Sequence, residues 1–271
     1  MSEPTASLVF LKLGGSLITD KTRPHTPRIE VLSRLAGEIA QSRRENPDLH
    51  MILGHGSGSF GHVPAKQHGT RSGVHTPEQW GGFVDVWQEA WQLNRLVMHA
   101  LTSAGLPALA FAPVASVLAE AGRVLAWNLE SMRIALGAGL LPVVYGDVIF
   151  DRQLGGTILS TEDLFEYLAV HLLPKRILLA GIDDGVWADF PACTRLVGRI
   201  TPHSWPEIQP TLGGSAATDV TGGMLSKVKA SLALVQQIEG LEIRIFSGNE
   251  TGTVYRALIG DEVGTLISAE K

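Results

Sequence analysis

The chain has 271 residues, of which 45% are hydrophobic and 18% are charged, and its formal charge is −5. This composition is typical of a folded globular protein, and the acidic balance argues against a broad surface for nucleic acid or anionic membranes. Cys193 is the only cysteine, which excludes an intramolecular disulfide bond and a thiolate metal cluster. No apolar run approaches the roughly 20 residues that span a bilayer, and the first residues lack a signal-peptide pattern. We therefore expect a cytoplasmic protein.

Short apolar runs alternate with longer helical patterns, which predicts an α/β protein with a mainly parallel sheet. In chain order, the sequence predicts a strand at 8–13, a helix at 28–43, a strand at 51–53, a long helix at 77–104, a strand at 109–112, a helix at 129–138 and a strand at 141–145. A hairpin at 147–157, a helix at 161–173 capped by Thr161, a strand at 177–180, a loop or lid at 202–221, a helix at 223–238 and a strand at 243–246 follow. No linker marks a domain boundary, so we expect one domain over residues 1–271.

The strongest local signal is a glycine-rich segment directly after the predicted strand at 51–53. Residues 54–62 read Gly-His-Gly-Ser-Gly-Ser-Phe-Gly-His, with four glycines and two histidines in nine residues. Glycines let the backbone approach a ligand closely, and consecutive amides can surround an anion. We interpret the segment as a phosphate-binding loop in which His55 supports the backbone. The alternative interpretation is a tight surface turn.

The same segment formally matches the dinucleotide-binding fingerprint through Gly56, Gly58 and Gly61. That fingerprint requires a helix that opens at once. Because Pro64 follows quickly and residues 66–76 have a loop-like composition, we predict no such helix and disfavour a dinucleotide oxidoreductase. No Gly-Lys-Ser or Gly-Lys-Thr follows either, so the segment is not a Walker A loop.

Two lysines lie near the end of the first predicted strand. Lys12 precedes Gly14, Gly15 and Ser16, and Lys21 lies in the loop that follows. A lysine inside an apolar strand is costly to bury unless its charge is compensated, and α/β proteins bind ligands at the carboxyl ends of strands. We interpret Lys12 as a ligand-binding residue, and Lys21 as a candidate that the residues alone do not decide. The alternatives are a snorkelling side chain for Lys12 and an ordinary surface lysine for Lys21.

A second candidate anion site lies at the start of the predicted helix at 223–238. Residues 219–224 read Asp-Val-Thr-Gly-Gly-Met, and the unpaired amides and positive dipole end of a helix start favour an anion. Lys227 lies one turn further along and could reach the same anion. Lys229 falls on a different face, and we interpret it as solvated.

Acidic residues after strands are the candidates for Mg²⁺, which takes one or two carboxylates together with substrate phosphates. Asp147 and the pair Asp183-Asp184 hold such positions. Aspartate is also a common turn residue, so the metal ligands stay open.

Phosphoryl transfer needs positioning and positive charge more than covalent help. A lysine-rich site without an obvious base suits an acceptor that is already an anion, such as a phosphate monoester or a carboxylate. The residues alone therefore predict a kinase that acts on an anion.

Three segments, taken in order, resemble the isopentenyl phosphate kinases of the amino acid kinase superfamily. They are residues 12–21, residues 54–62, and residues 219–224 with Lys227. The Gly-Gly-Ser opening and the Thr-Gly-Gly-Met helix start are shared across the superfamily. The Ser-Phe-Gly-His ending at His62 is particular to the isopentenyl phosphate branch. The similarity extends over essentially the whole chain.

The resemblance implies an open three-layer α/β/α sandwich, with an acceptor-binding lobe over roughly 1–175 and a nucleotide-binding lobe over roughly 176–271. It implies ATP and Mg²⁺ as cofactors and phosphorylation of isopentenyl phosphate in isoprenoid biosynthesis through the mevalonate pathway. It also implies a homodimer, with neither nucleic acid nor membrane as partner.

The resemblance also assigns roles to individual residues. It makes His62, Lys12, Lys21 and Lys227 catalytic. It places the acceptor against Gly56, Ser57, His62, Gly155, Gly156, Phe83 and Trp87. It places the nucleotide against Lys12, Gly14, Gly15, Ser16, Ser57, Asp183, Gly222 and Lys227. One departure is Ser57, where the family often has glycine or alanine.

Aromatic residues repeat at helical spacing along the long predicted helix: Trp80, Phe83, Trp87 and Trp91. Core packing is one interpretation of this stripe. The resemblance instead places Phe83 and Trp87 near the hydrocarbon tail of the acceptor, where bulky rings would favour short prenyl phosphates.

Two alternatives to the whole assignment remain open. One is a kinase of another small anion, such as a phosphonate, a carbamate or an amino-acid carboxylate. The other is a non-catalytic ligand sensor on the same scaffold.

Overall fold

The computed structural model describes residues 7–212 and 223–269, and for residues 62–64 the backbone alone. In these ranges the strands are β1 (Leu8–Leu13), β2 (His50–His55), β3 (Ala108–Ala110), β4 (Val117–Glu120), β5 (Arg123–Trp127), β6 (Leu141–Tyr145), β7 (Asp147–Asp151), β8 (Gly155–Leu159), β9 (Arg176–Gly181), β10 (Arg199–Ile200), β11 (Glu242–Ser247) and β12 (Thr265–Ser268). The α-helices are α1 (Gly15–Ile18), α2 (Ile29–Glu45), α3 (Gly58–His68), α4 (Pro77–Ser103), α5 (Pro113–Ser116), α6 (Glu130–Gly137), α7 (Thr161–Leu172), α8 (Trp205–Ile208), α9 (Gly223–Gln237) and α10 (Thr253–Ile259).

The central sheet has eight strands in the order β10-β12-β11-β9-β1-β2-β6-β3. Neighbouring strands pair in parallel except for β11 and β12, which are antiparallel, so β10 and β12 run opposite to the other six strands. β1 lies in the middle and pairs with both β2 and β9. The carboxyl ends of these three strands therefore meet at one edge, where ligands bind in open α/β sheets.

Side chains alternate between the two faces of the sheet because the period of a strand is two residues. On β1, Val9 and Leu11 pack with α2, α4 and α10, whereas Phe10 packs with α7 and α9 on the opposite face. Helices thus cover both faces, and the predicted three-layer α/β/α arrangement is confirmed.

A second, four-stranded sheet has the order β5-β4-β7-β8. Its β7–β8 hairpin was predicted and places Gly155 opposite Asp151. The β4–β5 hairpin was not predicted, because β5 is largely exposed and lacks an apolar alternation. This sheet lies beside the start of α4, where Phe83 packs with Val148.

Most of the predicted elements are confirmed to within a few residues, but α3 is a correction. The sequence predicted a loop after Pro64, whereas the helix begins at Gly58 and continues through residue 64 to His68. The helix that a dinucleotide fingerprint requires is therefore present, so that argument against dinucleotide binding was wrong. A second correction concerns α7, which is capped by Ser160 and not by Thr161. Within the described residues, no helix is long and apolar enough to cross a membrane.

Candidate active site

Lys12 lies at the carboxyl end of β1 and is almost completely buried, with 9% of its surface exposed. Its position two residues after Phe10 directs it to the α7 face of the sheet. There its ammonium group forms an ion pair with the carboxylate of Glu162, in the first turn of α7. The compensating charge that the sequence required for a buried lysine is therefore Glu162.

Glu162 interacts with two lysines. Burial raises the pKa of its carboxyl group, but the nearby charges of Lys12 and Lys227 outweigh burial and leave that pKa below its usual value. Lys227 lies on α9, which packs against the same face of the sheet as α7. The partly buried carboxylate of Glu162 thus pairs with Lys12 and lies near enough to Lys227 for the charge of that lysine to act on it.

A small cleft opens beside these charges, which we name the lysine cleft. Its lining combines Lys12 and Lys227 with the first glycine segment and the loop after β9: Lys12, Gly14, Leu179, Ala180, Gly181, Asp183, Met224, Lys227 and Ile245. Cationic side chains beside a glycine segment at the carboxyl end of a parallel sheet suit a polyphosphate. The predicted candidates Lys12, Gly14, Asp183 and Lys227 are therefore brought together.

The two glycine-rich segments are in direct contact. An ideal Cβ atom on Gly15 would lie 2.4 Å from the amide nitrogen of Gly58, which leaves no room for a side chain. The hydroxyl group of Thr19 links the segments by donating to the carbonyl of Gly15 and accepting from the amide of Ser59. Gly58 has φ +53, a conformation that favours glycine. The segment at Gly14 and Gly15 and the glycine-rich segment at 54–62 are thus packed directly against each other.

The second glycine segment leads directly into α3, with Ser57 as the residue before its first turn. Gly56 anchors the segment by donating its amide hydrogen to the carbonyl of Leu13. The backbone of His62 lies in the second turn of α3, but its side chain is outside the described residues. The predicted role of the His62 imidazole therefore stays a prediction.

His55 supports the backbone of this loop through its buried side chain. It is completely buried, and its ring nitrogens lie 3.2 Å from the Asn94 side-chain oxygen and 3.2 Å from the Gly56 carbonyl. Its ring stacks on Tyr145 at a centroid distance of 5.4 Å. Burial lowers the pKa of the imidazole, so the neutral form is favoured. This is the supporting position that the sequence predicted for His55.

Gly155 and Gly156 lie beside the aromatic residues of α4. Gly155 has φ +70, and an ideal Cβ atom on Gly156 would lie 2.9 Å from the ring of Phe83. Phe83 is buried in a small apolar cluster with Val74, Val86 and Val148, and Trp87 packs against it. The predicted acceptor residues Gly155, Gly156, Phe83 and Trp87 therefore share one region.

Other predicted site residues lie elsewhere or outside the description. Lys21 is exposed on a loop and does not line the lysine cleft. Gly222 and the predicted motif at 219–222 are outside the described residues. Asp147 is buried, and its carboxyl group accepts hydrogen from the amides of Val114 and Val148, so it caps α5. Burial raises the pKa of Asp147 to about 7.

Glu162 is the site residue that the sequence interpretation missed. The sequence feature that points to Glu162 is its place one helical turn before Phe165. In the structure the ring of Phe165 lies 5.0 Å from the ring of Phe10 on β1. Among the described residues, no group of three or more His, Cys, Asp and Glu side chains is arranged to hold a metal ion.

Comparison with known proteins identifies the family. The sequence profile of the Amino acid kinase family matches residues 7–247, and isopentenyl phosphate kinases match over nearly their full length. This chain belongs to the isopentenyl phosphate kinases of the amino acid kinase family. The relative from Methanothermobacter thermautotrophicus is 35% identical, with 97% of this chain and 100% of the relative covered. The relative from Haloferax volcanii is 37% identical, with 92% and 99% covered.

Solved structures agree with the sequence relatives. One isopentenyl phosphate kinase structure has a TM-score of 0.81 at 31% identity, and it covers 96% of this chain and 100% of its own. The Thermoplasma acidophilum isopentenyl phosphate kinase in a product complex has a TM-score of 0.76 at 23% identity, with 96% and 100% covered, which supports the fold alone. The predicted amino acid kinase fold is therefore confirmed, and the protein is a phosphotransferase.

Proposed function

We propose that this protein transfers the γ-phosphoryl group of ATP to isopentenyl phosphate and releases isopentenyl diphosphate and ADP. The observation that carries the proposal is the cluster of Lys12, Glu162 and Lys227 beside the contacting glycine segments. This cluster occurs in a chain that covers the full length of an isopentenyl phosphate kinase relative. The cluster accounts for the positive charge that phosphoryl transfer needs, and the identity of the acceptor is inferred from the relatives.

The chemistry needs no general base from the protein. A phosphate monoester, with a second pKa of about 6, is largely a dianion at neutral pH. One of its oxygens bonds to the γ-phosphorus of ATP, and the bond from that phosphorus to the β–γ bridging oxygen breaks. The negative charge that moves onto ADP is stabilised by preorganised cations. Lys12 is suited to this role because its ion pair with Glu162 fixes its position, and Lys227 adds a second positive charge in the same cleft.

The roles of the remaining site residues are proposed as part of the same mechanism. The acceptor phosphate would contact Gly56, Ser57, Gly155, Gly156 and His62, with Phe83 and Trp87 near the tail. The nucleotide would contact Gly14, Gly15, Ser16, Ser57, Asp183 and Gly222, with Lys21 approaching the phosphates. The chain up to about residue 175 would then serve the acceptor and the rest the nucleotide.

Mg²⁺ is proposed as a cofactor carried chiefly by the nucleotide. Glu162 is paired with Lys12, and among the described residues that line the lysine cleft Asp183 is the carboxylate that could reach a bound ion. Such a site fits Mg²⁺ held mostly by phosphate oxygens and water. A homodimer, a cytoplasmic location and a place in the mevalonate pathway extend the proposal. The single cysteine, which rules out an intramolecular disulfide bond, and the use of ATP are both compatible with the cytoplasm.

The alternative acceptor is another small anion. An acetylglutamate kinase from Rubrobacter xylanophilus matches 67% of this chain at 28% identity, a weaker match than the isopentenyl phosphate kinases. The discriminating assay follows ADP release from ATP and Mg²⁺ with isopentenyl phosphate, glutamate, carbamate or fosfomycin. We expect turnover with isopentenyl phosphate alone. Turnover of another anion, with none for isopentenyl phosphate, would keep the kinase chemistry and refute the acceptor.

A further inference from the structure

An exposed loop carries Lys21 between β1 and α2, and we name residues 20–27 the Lys21 loop. Its two ends are joined by the amide of Asp20, which donates to the carbonyl of Thr26 at 2.9 Å, and by a bridge between Thr19 and Pro27. Most of its residues are solvent-exposed. The loop therefore needs contacts elsewhere in the molecule if it is to hold one position.

One set of contacts fixes the loop on the first turn of α3. The amide of His25 donates to the carbonyl of Ser59 at 3.3 Å, and the amide of Thr26 donates to the Ser59 hydroxyl at 3.2 Å. The ring of His25 lies 5.5 Å from the ring of Phe60, centroid to centroid. The Lys21 loop thus rests on the glycine segment that is proposed to bind the acceptor.

A second contact joins the loop to α4. The Nδ1 atom of His25 lies 3.0 Å from Oε2 of Glu89. This carboxylate oxygen is buried, and among the described residues it has no hydrogen-bond partner, so the His25 ring is the polar group that lies against it. Burial raises the pKa of the Glu89 carboxyl group, while His25 acts in the opposite direction. Because a buried polar atom is costly to leave without a partner, this contact favours keeping His25 in place.

The backbone of His25 is also unusual. Its φ is +51, in the left-handed region that non-glycine residues seldom adopt. Such a conformation persists when surrounding contacts outweigh its cost, and residues of this kind concentrate at functional sites. The contacts with Ser59, Phe60 and Glu89 are the ones that hold it.

We propose that His25 and Glu89 are positioning residues that fix the Lys21 loop against α3 and α4, so that Lys21 is held ready for the phosphates of the nucleotide. The inference rests on the proposed function in that it assigns Lys21 to the nucleotide. It goes further by naming a two-residue latch between the Lys21 loop and the helix that carries Phe83 and Trp87. Neither latch residue touches the reacting atoms.

The test compares His25→Asn, Glu89→Gln, Lys21→Ala and the double variant His25→Asn/Lys21→Ala. Asparagine tolerates a positive φ, so His25→Asn removes the ring without adding backbone strain. Hydrogen–deuterium exchange should show faster uptake at residues 20–27 in both latch variants and unchanged uptake in β1. Calorimetry should show ATP affinity weakened roughly tenfold in each latch variant. Because the latch acts through Lys21, adding His25→Asn to Lys21→Ala should weaken the ATP affinity hardly any further.

Asp85→Asn is the matched control, because Asp85 lies one turn before Glu89 on α4 and its histidine partner is His68, at 3.5 Å. We expect it to leave loop exchange and ATP affinity unchanged. Unchanged exchange in the latch variants would refute the latch. Faster exchange with unchanged ATP affinity would also refute it. Losses of ATP affinity from His25→Asn and Lys21→Ala that add up in the double variant would refute it as well. Both readouts are independent of the acceptor, so a wild-type enzyme inactive on isopentenyl phosphate would refute the proposed function alone.

Discussion

Lys12 and Glu162 form an ion pair although they lie 150 positions apart in the sequence. Lys12 comes two residues after Phe10 on β1, and Glu162 comes three residues before Phe165 on α7. The rings of Phe10 and Phe165 lie 5.0 Å apart. The two-residue period of the strand and the helical turn place the charged pair directly beside the aromatic pair. The same interface between strand and helix thus supplies core packing and the charge of the site.

Glu162→Gln should lower kcat roughly 10- to 100-fold, and it should also lower the free energy of unfolding, because the buried charge of Lys12 loses its compensating carboxylate. Glutamine keeps the shape of the side chain but removes the negative charge that pairs with Lys12 and acts on Lys227. Steady-state kinetics with varied ATP measure the effect. Glu166→Gln is the control, because Glu166 lies one turn later on α7 and is exposed. Equal activity of the two variants would show that the carboxylate does not organise the lysines.

The case of Glu162 shows which part of the site the sequence could predict. Local patterns placed Lys12 at the end of a buried strand and required a compensating charge. They could not name the partner, because the partner depends on how α7 packs against the sheet. The error at α3 has a related cause. Pro64 and Gly61 are poor helix formers, yet the helix from Gly58 forms because it packs against α4 and the Lys21 loop. Tertiary packing overrode local preference there.

His62→Gln should retain part of the activity, and His62→Ala should lose far more. Glutamine can still donate a hydrogen bond to the acceptor phosphate, whereas alanine cannot, and a hydrogen bond to a charged group contributes about 1.5–3 kcal/mol. The loss should appear in kcat/KM for isopentenyl phosphate, with the affinity for ATP nearly unchanged. Equally mild effects of the two substitutions would remove His62 from the site.

Gly15→Ala should damage both activity and stability. The added methyl group would lie 2.4 Å from the amide nitrogen and 2.6 Å from the Cα of Gly58, so the two glycine segments would have to separate. We expect kcat/KM to fall roughly 100-fold and the free energy of unfolding to fall by about 1–3 kcal/mol.

Gly37→Ala is the control for Gly15→Ala. Gly37 is exposed in the middle of α2, and an added Cβ atom there meets nothing within 4 Å. Because alanine is the better helix former, we expect this change to raise the free energy of unfolding by about 0.5–1 kcal/mol. Chemical denaturation of both variants measures the contrast. A Gly15→Ala variant as stable and as active as the Gly37→Ala variant would contradict the close contact of the two segments.

Asp147 should make the protein less stable as the pH rises. Burial raises the pKa of its carboxyl group from 3.8 to about 7, so between these values the folded state binds more protons than the unfolded state. The free energy of unfolding therefore falls with increasing pH, by about 2–3 kcal/mol from roughly pH 5 to roughly pH 8 for this group. Asp147→Asn stays neutral and should lose this part of the pH dependence. Urea unfolding at both pH values compares the two proteins, and identical pH dependence would contradict the raised pKa.

Phe83 and Trp87 should set the length of the prenyl chain that the enzyme accepts. Phe83 closes the space above Gly156, where an ideal Cβ atom would lie 2.9 Å from its ring, and Trp87 packs beside it. Phe83→Ala and Trp87→Ala should raise the kcat/KM for geranyl phosphate relative to isopentenyl phosphate by roughly tenfold or more, because the shortened side chains make room for a longer tail. Trp91→Ala is the control, since Trp91 is 42% exposed on the same helix. If all three variants kept the chain-length preference of the wild type, the aromatic residues would be core packing and the tail would bind elsewhere.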